Sequence, residues 1–338
     1  MNASMSSSLV LRDRFGRQIT YLRISVTDRC NLRCVYCMPP EGVPHIGHDD
    51  VLRYEEILQV VELAARYGVR EVRLTGGEPL VRTDLPELVR MIAAVPGIED
   101  ISLTTNGLLL DRLAEPLAQA GLKRINVSLD TLRPERFTKI TRGGSFERTW
   151  AGILKAEALG LKPIKLNVVM MRGVNDDELA DMALLTLDRD WHVRFIELMP
   201  IQNQAVWGDG LPLPEETYLP IAEMVARLEP LGLEACGHEE VGSGPAQEYR
   251  LRGARGKVGF ISPVSEPFCE QCNRLRLTAD GNLRPCLLHN IEVPIRDALR
   301  RGEDLLPYLQ QAITLKPLAH ELEQQHSPSG RCMRQIGG

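Results

Sequence analysis

The chain has 338 residues, of which 43% are hydrophobic and 25% charged, with a net charge of −5. A chain of that length buries enough apolar surface to fold without disulfide staples, so its eight cysteines are free for other chemistry. The acidic balance argues against a nucleic-acid partner, no apolar run approaches a membrane span, and residues 1–8 lack the apolar core of an export signal, so a cytoplasmic protein off the membrane is expected.

A first strand is predicted over residues 21–27, and Cys30, Cys34 and Cys37 follow it on a loop with C-x3-C-x2-C spacing. Three thiolates this close can wrap one face of an iron–sulfur cube and leave one iron without a protein ligand. Such an open position serves catalysis, whereas a structural zinc site closes with four ligands, and no fourth is near in the sequence. A helix is predicted next, over 54–67. Ile57, Val60, Val61 and Ala64 form one apolar stripe on it, and Gly68 stops it. The second strand, 71–74, runs into Thr75-Gly76-Gly77-Glu78-Pro79, where glycines let backbone approach a ligand closely. Alone, that turn reads as an ordinary strand-to-helix connection.

The alternation continues with strands over 101–104, 124–129, 165–170 and 193–197 and helices over 85–94, 111–120, 145–159 and 176–189. Strand–helix units repeated about six times imply parallel strands with right-handed crossovers. The α/β layout is a doubly wound sheet or a barrel-like arc, too short for a full barrel. Scattered Pro, Gly and Asn over 202–214 mark a loop, and a helix follows over 215–228. After Gly237, short strands at 249–251, 258–261 and 275–278 and a helix-rich tail suggest a smaller α+β domain. The expected division is residues 1–230 and 231–338.

Cys269, Cys272 and Cys286 form a second set of three. The C-x2-C pair with His289 close behind suits zinc, and three thiolates with an open position suit a second iron–sulfur cluster; spacing leaves the two even. Cys236 and Cys332 have no partner at motif spacing. Arg274 and Arg276 share one face of a strand. Arg23 and Arg73 precede the cysteine loop and the Gly-Gly-Glu-Pro turn, and Lys165 opens the fifth strand. Each alone reads as a solvated surface charge. Their shared placement beside strands and cysteine loops points to one anion site, where guanidinium forks suit phosphate oxygens.

The stretch from Thr27-Asp28-Arg29-Cys30 to Met38-Pro39, together with Gly76-Gly77-Glu78-Pro79, resembles the signature of radical S-adenosylmethionine enzymes. The resemblance implies a partial (β/α)6 barrel. It also implies a 4Fe–4S cluster on Cys30, Cys34 and Cys37, whose open iron binds S-adenosylmethionine and cleaves it to a 5′-deoxyadenosyl radical. Tyr36, Gly77, Ser128 and Met199 match that family's S-adenosylmethionine contacts.

Three further stretches narrow the resemblance to one branch: Phe15-Gly16-Arg17 with residues 21–30, residues 259–287, and Met333 to Gly338. In that branch the second triad also holds a 4Fe–4S cluster, which meets the guanine of GTP. The matching GTP positions are Arg23, Arg73, Thr104, Lys165, Arg274, Leu275 and Arg276. Arg274 and Arg276 are implied as catalytic, with Gly337 and Gly338 of a tail that enters the active site. The implied reaction takes the ribose 3′ hydrogen of GTP and joins C3′ to C8 of the guanine, opening molybdenum cofactor biosynthesis. Implied partners are GTP, an electron donor of the flavodoxin or ferredoxin type, and the next-step enzyme, cyclic pyranopterin monophosphate synthase. The chain would act as a monomer or homodimer. Two other readings stand beside this one: a radical enzyme that modifies a peptide through an auxiliary cluster, and a non-catalytic metal-binding scaffold.

Overall fold

The computed structural model describes residues 10–199, 214–236, 244–320, 322, 331 and 333–336. Strands β1 (Tyr21–Ser25), β2 (Glu71–Thr75), β3 (Asp100–Thr105), β4 (Arg124–Ser128), β5 (Ile164–Met170) and β6 (Trp191–Glu197) alternate with helices. These are α1 (Tyr54–Arg66), α2 (Leu85–Ala93), α3 (Leu110–Gln119), α4 (Pro134–Thr141), α5 (Phe146–Ala158) and α6 (Leu179–Asp188). In α1 the predicted stripe of Ile57, Val60, Val61 and Ala64 is buried. Glu56 accepts the Arg53 backbone N–H at 2.7 Å and closes the helix start. The short α4, entered through Pro134, was not expected; Phe137 and Ile140 are its buried apolar side chains, too few to set a visible period. The helix expected over 215–228 is two, α7 (Pro214–Thr217) and α8 (Ile221–Leu228), because Pro220 lacks the N–H an interior position must donate.

The chain then forms β7 (Leu233–Ala235), β8 (Gln247–Leu251), β9 (Lys257–Ile261), β10 (Arg274–Leu277), β11 (Asn282–Arg284) and β12 (Val293–Pro294). Helices α9 (Arg296–Arg301), α10 (Leu306–Thr314) and α11 (Met333–Ile336) follow. Among the described residues the twelve strands belong to one sheet, in the order β12-β11-β10-β1-β2-β3-β4-β5-β6-β9-β8-β7. From β1 to β6 the pairing is parallel and in chain order. The later strands extend that arc at both ends. β10 pairs parallel with β1, and β9 pairs parallel with β6. Antiparallel β11–β12 and β7–β8 complete the two edges.

Strand periodicity divides the sheet into two faces. Leu22, Ile24, Val72, Leu74, Leu103, Val127, Leu166 and Val193 belong to the main apolar core. Residues of the other parity, including Arg23, Arg73, Thr104, Lys165, Asn167, Arg194 and Arg276, line a cavity. Parallel strands covered by helices on both faces read as unbroken apolar runs. Here polar residues alternate with apolar ones because only one face carries the apolar packing. Among the described residues no helix is long and apolar enough to cross a membrane.

Candidate active site

The first cysteine loop leaves the carboxyl end of β1 and is held by the turn after β2. Gly77 N–H donates to Thr27 O and Glu78 N–H donates to Arg29 O, each at 2.8 Å. A Cβ on Gly76 would stand 2.4 Å from Thr27 O, and one on Gly77 would stand 2.4 Å from Arg29 O. The space that the glycines keep open on that side is therefore filled by the backbone entering Cys30. The Glu78 carboxylate accepts Leu80 N–H, Thr105 Oγ1–H and Asn106 N–H, which ties the end of β2 to the end of β3. Burial pushes its carboxyl up to about 7. Asn106 in turn donates to Asn31 inside the cysteine loop at 2.8 Å.

Cys30, Cys34 and Cys37 all line the cavity. Burial pushes the Cys30 thiol up to about 11 and the Cys34 thiol well above its ordinary value. These sulfurs become thiolates when a bound cation stabilises the charge. Tyr36 Oη–H donates to Asp130 Oδ2 at 2.7 Å, and burial raises the Asp130 carboxyl to about 6. Gly77, Ser128 at the end of β4 and Met199 just beyond β6 line the same cavity as Tyr36.

Cys269 and Cys272 bracket a single 3-10 turn before β10, and Cys286 lies just beyond β11. All three line the cavity that the first triad lines. His289, the expected alternative zinc ligand, instead has its Nε2 3.2 Å from Ala319 O. Among the described residues no three His, Cys, Asp or Glu side chains converge on a single ion. At Cys272 burial acts upward, but Lys316 and Arg274 outweigh it and hold the thiol below its ordinary value.

Between the triads the inner face of the sheet is basic. Arg276, Arg23 and Arg73 lie in register on three adjacent strands. Thr104, Asn126 and Lys165 form the next row. Burial first, and repulsion from neighbouring arginines second, pushes Arg276 down to about 10 and Arg23 well below its ordinary value. Burial, with Arg194 and Arg124 next, pushes Lys165 from 10.5 to about 6. Among the described residues Arg23 Nε, Arg274 Nε, Thr104 Oγ1 and Asn167 Oδ1 are buried and meet no hydrogen-bond partner. Crowded cations beside unpartnered polar atoms make a site for a polyanion.

Of the anticipated residues that are described, only Leu275 points elsewhere. Its side chain is buried in the apolar layer, one position out of phase with Arg274 and Arg276, so only its backbone can face a ligand. Gly337 and Gly338 lie outside the described residues; before them, Met333 and Arg334 line the cavity. Arg334 donates to Val43 O at 2.7 Å and to Pro44 O at 3.2 Å. Arg194, Asp130, Arg334 and Lys316 were not anticipated. Arg194 carried a signal: it alternates with Val193 and Phe195 on a strand that begins two residues earlier than predicted.

A model of the Radical SAM superfamily matches residues 24–186, and a model described as Molybdenum Cofactor Synthesis C matches residues 191–322. A relative named GTP 3′,8-cyclase from Pelotomaculum thermopropionicum is 52% identical over 335 residues, covering 97% of this chain and all of that protein. Another of the same name from Heliobacterium modesticaldum is 52% identical over 331 residues, covering 96% of this chain and 99% of that one. Among solved structures, Streptococcus suis SuiB bound to S-adenosylmethionine superposes with a TM-score of 0.60 at 14% identity, over 88% of this chain and 68% of that one. A second, anSMEcpe with bound AdoMet, gives 0.55 at 16% identity, over 81% and 76%. At such identities these two establish a shared fold.

Proposed function

Since the chain belongs to the GTP 3′,8-cyclases, a family of radical S-adenosylmethionine enzymes, we propose how its residues divide the work of that reaction. The activity is conversion of GTP to 3′,8-cyclo-7,8-dihydroguanosine 5′-triphosphate, the first step of molybdenum cofactor biosynthesis, with 4Fe–4S clusters and S-adenosylmethionine as cofactors. The readings as a peptide-modifying enzyme and as a non-catalytic scaffold are set aside by that membership.

Cys30, Cys34 and Cys37 hold the first cluster, with S-adenosylmethionine against Tyr36, Gly77, Ser128 and Met199. Cys269, Cys272 and Cys286 hold the second, beside which GTP meets Arg23, Arg73, Thr104, Lys165, Arg274, Arg276 and the backbone of Leu275. One observation supports the reading: both triads and both side-chain sets, apart from Leu275, line a single cavity of about 340 Å³. Arg194 joins the GTP set on the same ground.

When bound, the cofactors supply the 5′-deoxyadenosyl radical. The chain's own residues bind, orient and exclude. The arginines of β1, β2 and β10 neutralise the triphosphate and fix its depth in the cavity, which sets where the ribose lies. Arg274 is stacked 5.0 Å from the Phe268 ring, so its fork is aimed before the ligand arrives. Lys165 takes up a proton as the triphosphate enters. Gly337 and Gly338 belong to the proposal as the residues of a tail that enters the active site; Met333 and Arg334, which precede them in the chain, line the cavity. An electron donor of the flavodoxin or ferredoxin type and cyclic pyranopterin monophosphate synthase complete the proposal, in the cytoplasm.

The test is Cys269→Ser in the anaerobically reconstituted chain. Weaker GTP binding with unchanged S-adenosylmethionine binding supports the division; loss of both contradicts it.

A further inference from the structure

We propose that Lys316 is a positioning residue for the second cluster, clamping together the segments that carry Cys272 and Cys286 and giving the Cys272 sulfur a charge-assisted hydrogen bond. The inference rests on the reading of the second triad as a cluster site.

Lys316 lies two residues beyond α10 and is 2% exposed. Its ammonium has three protons and three acceptors. Nζ stands 2.6 Å from Pro285 O, 2.8 Å from Arg274 O and 3.4 Å from Cys272 Sγ. Pro285 immediately precedes Cys286, and Arg274 comes two residues after Cys272. One side chain therefore bridges the two parts of the triad, which β10 and β11 connect along the chain.

The charge itself needs a partner. Buried lysines are normally paired with a carboxylate. Among the described residues Lys316 forms no ion pair with one, and the ionisable group it reaches is the Cys272 sulfur. A cysteine that ligates a cluster does so as a thiolate, so a bound cluster would place an anionic sulfur against this ammonium.

The third cysteine is held from the same segment. Arg17, in the Phe15-Gly16-Arg17 stretch, donates to Cys269 O at 2.7 Å, to Leu318 O at 2.9 Å and to Pro317 O. The Asp13 carboxylate aims the Arg17 guanidinium. Residues 316–318 thus connect to all three cysteine positions, through Lys316 at Cys272 and Cys286 and through Arg17 at Cys269. Hydrogen bonds to cluster sulfurs favour the reduced form and raise the reduction potential.

The experiment uses the full chain, reconstituted anaerobically with iron and sulfide, as wild type, Lys316→Arg and Lys316→Met. Iron per chain, a redox titration followed by electron paramagnetic resonance, and the melting temperature of the metal-free chain are read. In Lys316→Met the first cluster should keep its potential and its spectral response to S-adenosylmethionine. The second should lose about half or more of its iron or, where assembled, titrate at a more negative potential. Lys316→Arg should fall between the two. A Lys316→Met chain with full iron and an unchanged second potential overturns the inference. So does equal loss of both clusters with a collapsed melting temperature, which would mark Lys316 as a general core residue. Zinc, or no metal, at the second triad of the wild-type chain would instead overturn the cluster reading beneath it.

Discussion

Arg23 on β1 stands directly opposite Arg276 on β10, so residues more than 250 positions apart set two guanidiniums side by side on parallel strands. Like charges at that separation repel, and the third arginine of the row, Arg73, adds to the strain. A bound polyanion turns the same arrangement into an attractive one.

That reversal makes Arg23→Met informative. Removing one cation should cost GTP about 1.5–3 kcal/mol, the worth of a charge-assisted hydrogen bond, or roughly 10- to 150-fold in affinity. The ligand-free chain should melt at the same temperature or higher, because a buried charge that forms no ion pair among the described residues is gone. Equilibrium dialysis with GTP and a thermal melt check the two halves. Lower stability with unchanged affinity would refute this account of the row.

Lys165 gives the site a pH signature. Its folded-state pKa, about 6, lies below the ordinary 10.5, so between those values the unfolded chain binds the extra proton. Stability from this group therefore rises with pH across that window, and Lys165→Met should flatten the rise. GTP should push the lysine back up, so binding at pH 8 should take up a proton. Calorimetry in buffers of different ionisation enthalpy measures it, and Lys165→Met should abolish the uptake. Equal uptake in the variant would contradict the assignment.

Gly77→Ala tests the packing beneath the first cluster. Its Cβ would meet the Arg29 carbonyl, so the turn or the cysteine loop must shift. Overpacking of this kind costs about 1–3 kcal/mol. The first cluster should assemble poorly while the second assembles normally. Separate iron signals for the two clusters decide it, and an intact first cluster would count against the tight contact.

The site was more legible than the sheet that carries it. Metal chemistry fixes both residue type and spacing, so Cys30, Cys34 and Cys37 stand out from a short stretch of sequence. The six strand–helix units were legible for a similar reason, since each writes its own period locally. The pairing of β10 with β1 has no local mark, because its partner strand is far away in the chain. Gly76 and Gly77 announced a close approach but not its object, which on the Cβ side is backbone. Lys316 is a lone lysine after a helix, and only the fold shows that three acceptors meet it.

His289→Ala separates zinc from iron at the second triad. With the ring engaged by Ala319 O, its loss should leave iron and sulfide at the second site unchanged after reconstitution. Loss of metal there in proportion to the substitution would restore the histidine as a ligand.

The central claim is that the cavity between the triads holds GTP with its ribose turned towards S-adenosylmethionine. The direct measurement gives the reduced, reconstituted chain S-adenosylmethionine and GTP deuterated at the ribose 3′ position, and weighs the 5′-deoxyadenosine released. The account expects release that depends on GTP and product that carries the deuterium. Release indifferent to GTP, or 5′-deoxyadenosine without the label, would contradict it.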